Sequence, residues 1–495
     1  MTRAAAWLEG LAPHELAALA ARYADALERD GLTVHRAEDG TFHPIPPVLT
    51  PEGLSRARLT ELAETARHIL SATVKLARWT LTPPGAHAAA RLYATLAPLE
   101  LEALARDPAC LERVATARID YFLTRDGSAH ALELNATIPA MQGYSDLIAH
   151  RFVRELAAAR GLSAAVTEDL VARTGSNTDD LLDSLLAHYR LLGGAVELPS
   201  IVIVSRRGDS QLGELHHYVR AFAARGHAVR HAFVDELEID TAGRVGVGGA
   251  RADFIYRHIF ARRVAPGSTM ARLLVDPGPN IVLNPVLAPL EVKGMFALLS
   301  AALTDAPALV AEWALTDEER VVAARTIPWT RLVARAPATL ADGARVPDLA
   351  AWIARHPEQV VLKRSWDYGG KSVVLGPEAE TAQARARGQE LFGSACDSWP
   401  ALVAHACNDA GAWVVQEFVP PEPRRHLLLA RGVDGTVSAS WRELFVDVSA
   451  YANLGVEPRP RGAVCRASAS RIVNILGGGG LTPVIPLDVL DALLR

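Results

Sequence analysis

Lysine is nearly missing from this 495-residue chain: of 51 basic residues only Lys75, Lys293, Lys363 and Lys371 are lysines, and the rest are arginines. Where arginine meets almost every need for positive charge, a lysine marks a place that wants a compact ammonium. Cysteine is also scarce. Cys110, Cys396, Cys407 and Cys465 stand without paired spacing, which excludes a disulfide framework and a zinc module and suits a reducing cytoplasm, the expected location. No apolar run approaches the roughly 18 residues of a membrane span. Glu9, His14 and Glu15 interrupt any signal-peptide core, so the N-terminus reads as an amphipathic helix. The net charge of −5 gives no footing for nucleic acid or an anionic membrane. GxSxG, HExxH and GxGxxG elements are absent. What is present is ordinary for a folded enzyme-sized protein: half the residues hydrophobic and 22% charged.

At about 150 residues per domain the length predicts two to four domains. Residues 1–115 repeat apolar positions at three and four, predicting a helical N-terminal region broken by prolines in HPIPPVLTPEG and TPPG. In 116–195, IDYFLTRDGSAHALELN predicts two short strands around a turn, followed by helices. Span 196–285 begins strand–loop–helix–strand, the unit of a parallel sheet, and predicts a separate α/β domain. His216 and His217 fall on its helix, with a surface or packing role expected. Span 286–495 alternates helices with strands such as QVVLKRS, KSVVLG, GAWVVQEFV and TVSASWRELFV. The fold class is α/β with α+β character.

Four segments could carry chemistry. VVLKRSWDYGGKSVVLG (360–376) places Lys363 and Lys371 at either end of a glycine hairpin whose backbone could approach phosphate oxygens; Gly369-Gly370 is equally good turn chemistry. It is not a Walker A loop, having neither the earlier glycine nor a following helix. In ALELNATIPAMQGYSD (131–146), Glu133 and Asn135 are two apart on a strand and share one face, giving hard oxygen donors suited to Mg²⁺, or a polar face turned to solvent. GAWVVQEFVPP (411–421) could offer backbone groups to an adenine edge and Glu417 to a ribose, or be a plain core strand. Arg466 precedes IVNILGGGGLTP (472–483), whose glycines could fold over a ligand or form a mobile loop.

In this order, and over about 115–485, the motifs resemble the eukaryotic-type glutathione synthetases, a circularly permuted branch of the ATP-grasp carboxylate–amine ligases; glutathionylspermidine synthetases are a related likeness. ARIDYFLTRDGSAHALELNATIPA resembles their Arg-x-Asp-Tyr and Glu-x-Asn strands. LNPVLAPLEVKGMFALL, VLKRSWDYGGK, WVVQEFV and VCRASASRIVNILGGGG resemble the segments carrying two ATP lysines, the adenine hinge and a substrate-covering loop. The resemblance implies an ATP-grasp fold with the α/β substrate domain inserted. It implies ATP held by Lys293, Lys363, Gly369, Gly370, Lys371, Gln416, Glu417 and Val419, and Mg²⁺ held by Glu133, Asn135 and Asp367. Arg466 and Lys363 would be catalytic. Arg118, Ser205, Gln211, Arg257, Gly478 and Gly479 would touch the substrate.

The implied reaction joins a carboxylate to an amine through an acyl phosphate, releasing ADP and phosphate. Expected partners are small molecules (an amino acid or small peptide, and an amine) with a homodimer as an option. Three departures stand out, the first bearing on the Mg²⁺ ligand and a stiffer loop, the other two arguing against glutathione as product. Asp367-Tyr368 stands where the family has a glutamate before three glycines, Ser468 where it has a lysine, and Pro139 and Gln142 where small hydroxyl residues would meet a thiol-bearing dipeptide. A regulatory or scaffold protein that binds nucleotide without turnover is the rival from another class. Lys75 is expected at the surface.

Overall fold

The central element is a six-stranded antiparallel sheet assembled from the two ends of the sequence. A computed structural model describes residues 3–367, 369–409, 412–475 and 478–495; the expectations at Tyr368, Gly411 and Gly477 fall outside them. In this sheet Ala129–Asn135 pairs with Val114–Leu123, which pairs with Val437–Leu454, then Ala463–Ser468 and Gly480–Thr482, while Pro423–Arg431 flanks the long strand. Strand alternation divides it. Ala117, Ile119, Tyr121, Leu134, Val448, Ala450, Cys465 and Ala467 face one way, into the main hydrophobic core. Their neighbours Arg118, Asp120, Glu133, Asn135, Asp447, Ser449 and Arg466 face the other.

The apolar face is covered by the helix Arg56–Thr80, started by Ser55, whose hydroxyl accepts from the Arg58 amide at 3.1 Å. Leu62, Ala66, Ile69, Thr73, Leu76 and Ala77 recur at three and four along its buried side. Lys75 is not the surface residue expected of it. Its ammonium is half-buried between Glu319 at 2.8 Å and the Ala314 carbonyl at 3.0 Å, tying this helix to Asp317–Thr326.

A four-stranded parallel sheet (Val282–Leu283, Phe254–His258, Ile201–Ser205, Val229–Phe233 in spatial order) lies within 196–285. A third sheet is antiparallel and runs Thr330–Leu332, Trp413–Glu417, Val360–Arg364, Val373–Leu375. The N-terminal 115 residues are not helical throughout. Thr33–Arg36 and Thr41–Pro44 form a hairpin, and Glu52–Leu54 pairs in parallel with Val484–Pro486. Among the described residues no helix is long and apolar enough to cross a membrane.

Candidate functional site

A cavity of about 880 Å³ lies where the three sheets approach one another. The polar face of the central sheet supplies Arg118, Asp120, Glu133, Asn135, Asp447 and Arg466; the third sheet supplies Lys363, Gln416 and Glu417; the loop after the parallel strand at Ser205 supplies Arg206, Asp209 and Gln211. That loop leaves the carboxyl end of a parallel strand, the usual place for ligand contacts in such sheets. The N-terminal hairpin closes the remaining side through Val34 and His35.

On the central sheet, register brings Glu133 opposite Asp120 and Arg466 opposite Asp447. The Arg466 guanidinium donates to Asp120 at 2.7 Å and to Asp447 at 2.5 and 3.1 Å. Arg118 chelates Asp120 at 2.7 and 3.1 Å and donates to the Ala140 carbonyl at 2.9 Å. Burial opposes ionisation of Asp120, but Arg118 and Arg466 outweigh it and hold its carboxyl far below the usual range. Asp447, which burial pushes the other way, shares Arg466. Two arginines and two aspartates thus form one buried, charge-balanced cluster.

The lysines arrive from other elements. Lys293, just before the helix Gly294–Asp305, places its ammonium 3.2 Å from Glu133 and 2.7 Å from the Asp367 carbonyl. Glu133 and Asp367, far apart in sequence, are therefore bridged by one cation. Lys363 donates to the Gln416 amide oxygen at 2.6 Å and the Leu132 carbonyl at 3.2 Å. Both partners are neutral, and burial lowers its pKa to about 8, with Glu133 partly opposing and Lys293 reinforcing. Gln416 is fixed in turn by the Thr330 hydroxyl at 3.1 Å.

Glu133 and Asn135 line the cavity and offer a carboxylate and an amide oxygen, donors that suit a hard divalent cation, whereas Asp367 is not among the lining residues and its backbone carbonyl meets Glu133 only through Lys293. The Asp367 carboxylate accepts from the Ser372 hydroxyl. No group of three or more His, Cys, Asp and Glu able to hold a metal occurs among the described residues, so any such site depends on the amide.

Gly369, Gly370, Lys371 and Val419 also line the cavity, as do Ile472–Ile475. The two loops touch: Asn474 donates to the Gly369 carbonyl at 2.6 Å, and a Cβ on Gly370, at φ +70°, would stand 2.7 Å from Ile472. Gly478 and Gly479 are not among the lining residues, and their amides donate to the Ile475 and Asn474 carbonyls at 3.0 Å each.

Several expected residues are placed elsewhere. The Ser205 hydroxyl is buried against His231 at 2.8 Å, with the His216 ring beyond it. Arg257 is wholly buried and donates to the backbone carbonyls of Asn284 at 3.0 Å, Pro285 at 2.6 Å and Ile259, which fixes loops, and it is not among the residues lining the cavity. Gln142 is spent on Thr116 at 3.0 Å and Tyr218 at 3.1 Å. Ile138, Ala140 and Met141 form the wall where Pro139 and Gln142 were expected to reshape it. Ser468 accepts from the Ser470 amide at 3.0 Å at a strand end, away from the cavity wall. Sequence reading missed Asp447, gave Asp120 no role, and missed Glu291, which receives the amides of Ala136 and Thr137 at 2.8 and 2.6 Å and so shapes the turn after the Glu133 strand.

No family model matches this chain, and no curated protein does. Among solved structures it is similar to a glutathione synthetase-like effector from Globodera pallida in its apo form, at 13% identity, with 96% of this chain and 98% of that one covered and a TM-score of 0.56. A candidate gamma-glutamylcysteine synthetase from Methylobacillus flagellatus KT is matched at 10% identity over 81% of this chain and 88% of that one, with a TM-score of 0.40. The fold is glutathione-synthetase-like.

Proposed function

We propose that the protein is an ATP- and Mg²⁺-dependent carboxylate–amine ligase with a circularly permuted ATP-grasp architecture. The observation that carries this reading is the convergence of Lys293 and Lys363, from two different elements, on Glu133, with Lys363 itself lining the cavity beside Glu133, Asp120 and Arg466. A buried ammonium with only neutral hydrogen-bond partners is an anion site, and the polyphosphate of ATP is the anion that fits beside a hinge strand and a glycine hairpin.

In this reading Lys363 and Lys293 neutralise phosphate oxygens, Gln416, Glu417 and Val419 border the base and ribose, and Lys371 with Gly369 and Gly370 covers the phosphates. Glu133, Asn135 and Asp367 would hold Mg²⁺, which offsets charge on the transferring phosphoryl group. The substrate carboxylate attacks the γ-phosphorus and ADP leaves; the amine then attacks the acyl phosphate carbon, phosphate leaves, and an amide remains. Arg466 and the lysines stabilise charge that grows along this path. Acyl phosphates hydrolyse, so the touching loops at 369–371 and 472–475 serve to exclude water. Arg118 and Gln211 remain the carboxylate-side contacts. Amino acids or small peptides are the substrates the charged walls suit, and small molecules the only partners the cavity requires.

A second reading has two observations in its favour: the Arg466 charge is already balanced by Asp120 and Asp447, and the matched Globodera protein is described as an effector. A chain that binds nucleotide without turnover would look the same. Incubation with ATP, Mg²⁺ and pooled amino acids and dipeptides decides between them. Phosphate release that requires both a carboxylate and an amine is expected; ATP binding with no release across the pool overturns the ligase reading.

A further inference from the structure

The helix Gln142–Ala159 begins without a cap of its own. The residue before it, Met141, sits in the left-handed region at φ 89°, and its side chain caps nothing. Non-glycine residues adopt that conformation only where their surroundings hold them there. Met141, Ala140 and Tyr144 form part of the cavity wall, so whatever holds this turn holds the wall.

One side of the turn is held by the central sheet, since the Ala140 carbonyl receives Arg118 at 2.9 Å and the Tyr451 hydroxyl at 3.3 Å. The other side is held by a residue far away in sequence. Glu214, on the helix Leu212–Ala224, is completely buried and accepts from the Gly143 amide at 3.0 Å and the Tyr218 hydroxyl at 2.7 Å, with the Met141 amide nearby. Its second oxygen is buried without a partner. The approach is close: a Cβ on Gly143 would stand 2.9 Å from His217 and 3.1 Å from Glu214. A carboxyl from one element is thus doing for another what an N-cap side chain does for its own helix.

We propose that Glu214 is a positioning residue for the cavity: its carboxyl caps the 142–159 helix from the parallel-sheet domain and fixes the left-handed turn that forms the cavity wall. The groups facing it are Tyr218 and His217 on its own helix, Tyr144 on the capped helix, Tyr256 on the parallel sheet, and Arg118 and Tyr451 on the central sheet. Burial raises its pKa to about 7, against the pull of Tyr218, the Gly143 and Met141 amides and Arg118. In the closed turn the neutral form is favoured, whereas an opened turn returns the carboxyl to its solvated value. Opening therefore becomes easier as pH rises from the solvated pKa toward about 7, and levels off above it.

Hydrogen exchange of the amides at 141–147 tests this without any need for turnover, so it stands or falls separately from the ligase reading. In Glu214→Gln, which keeps shape and one acceptor, these amides should stay protected relative to the rest of the helix. The wild-type to Gln ratio of their exchange rates should rise at least about tenfold between roughly pH 5 and pH 8. Glu214→Ala should speed their exchange at least about tenfold. If the Ala variant does not fold, the Gln comparison and Tyr218→Phe, expected to loosen the same amides, carry the test. A ratio that stays flat with pH, or unchanged protection in the Ala variant, overturns the proposal.

Discussion

Two sheets face each other across the cavity and treat charge in opposite ways. The central sheet neutralises its own: Arg118, Asp120, Arg466 and Asp447 satisfy one another within the fold. The third sheet leaves Lys363 buried with an amide and a carbonyl as its hydrogen-bond partners. The first arrangement is a structural fastening that a ligand must loosen; the second is strained until an anion arrives. Stability and binding should therefore separate between the sheets.

The largest effect is expected on the balanced side. Asp120→Ala leaves the buried Arg118 guanidinium without a carboxylate and takes one of two from Arg466, and should lower unfolding stability by about 3–5 kcal/mol, read by denaturant titration. Lys363→Met should not destabilise the fold, yet should weaken ATP binding at least about tenfold, on the order of 1.4 kcal/mol by calorimetry. Equal loss of stability in both variants would abolish the contrast. Asp367→Asn sharpens it at the boundary between the sheets: phosphate release should fall several-fold while ATP affinity changes less than about twofold, because the contact matters most as charge moves.

The smallest effect is a titration. Lys363 carries its charge below about pH 8 and sheds it above, so ADP affinity should fall as pH rises through that value, and Lys363→Arg should remove the step. The same depressed pKa means the folded state is penalised below about pH 8 and relieved above it, as the unfolded lysine keeps its proton longer. An affinity that is level through pH 8 in the wild type would reassign Lys363 to the hairpin's internal structure.

The parts of this comparison that were legible in the sequence are those written locally. Glu133 and Asn135 share a face because strands alternate, and the scarcity of lysine drew attention to positions 293 and 363 before any partner was visible. Asp447 was not legible, because its role depends on register with Arg466 across a strand pair, and no short pattern states a register. Arg257 misled for the related reason that an arginine one residue from a strand end reads the same whether it meets a ligand or three carbonyls. The hairpin at 33–44 hid behind Pro44 at its end and the prolines that follow, which punctuate a helix and tolerate an edge strand alike. Lys75 shows the converse: helical periodicity located it, but not the glutamate that covers it.

The depressed pKa of Lys363 has a practical side. Amine-selective reagents attack only neutral amines, and a chain with arginine almost everywhere offers them few targets. Lys363, whose pKa burial lowers to about 8, presents an appreciable neutral fraction near neutral pH. A slow acylating probe small enough to enter the cavity would then label this side chain, and its peptide is read apart from that of Lys371, which also lines the cavity. Protection from it by nucleotide would turn peptide mass mapping into an occupancy assay that needs no knowledge of the other substrates.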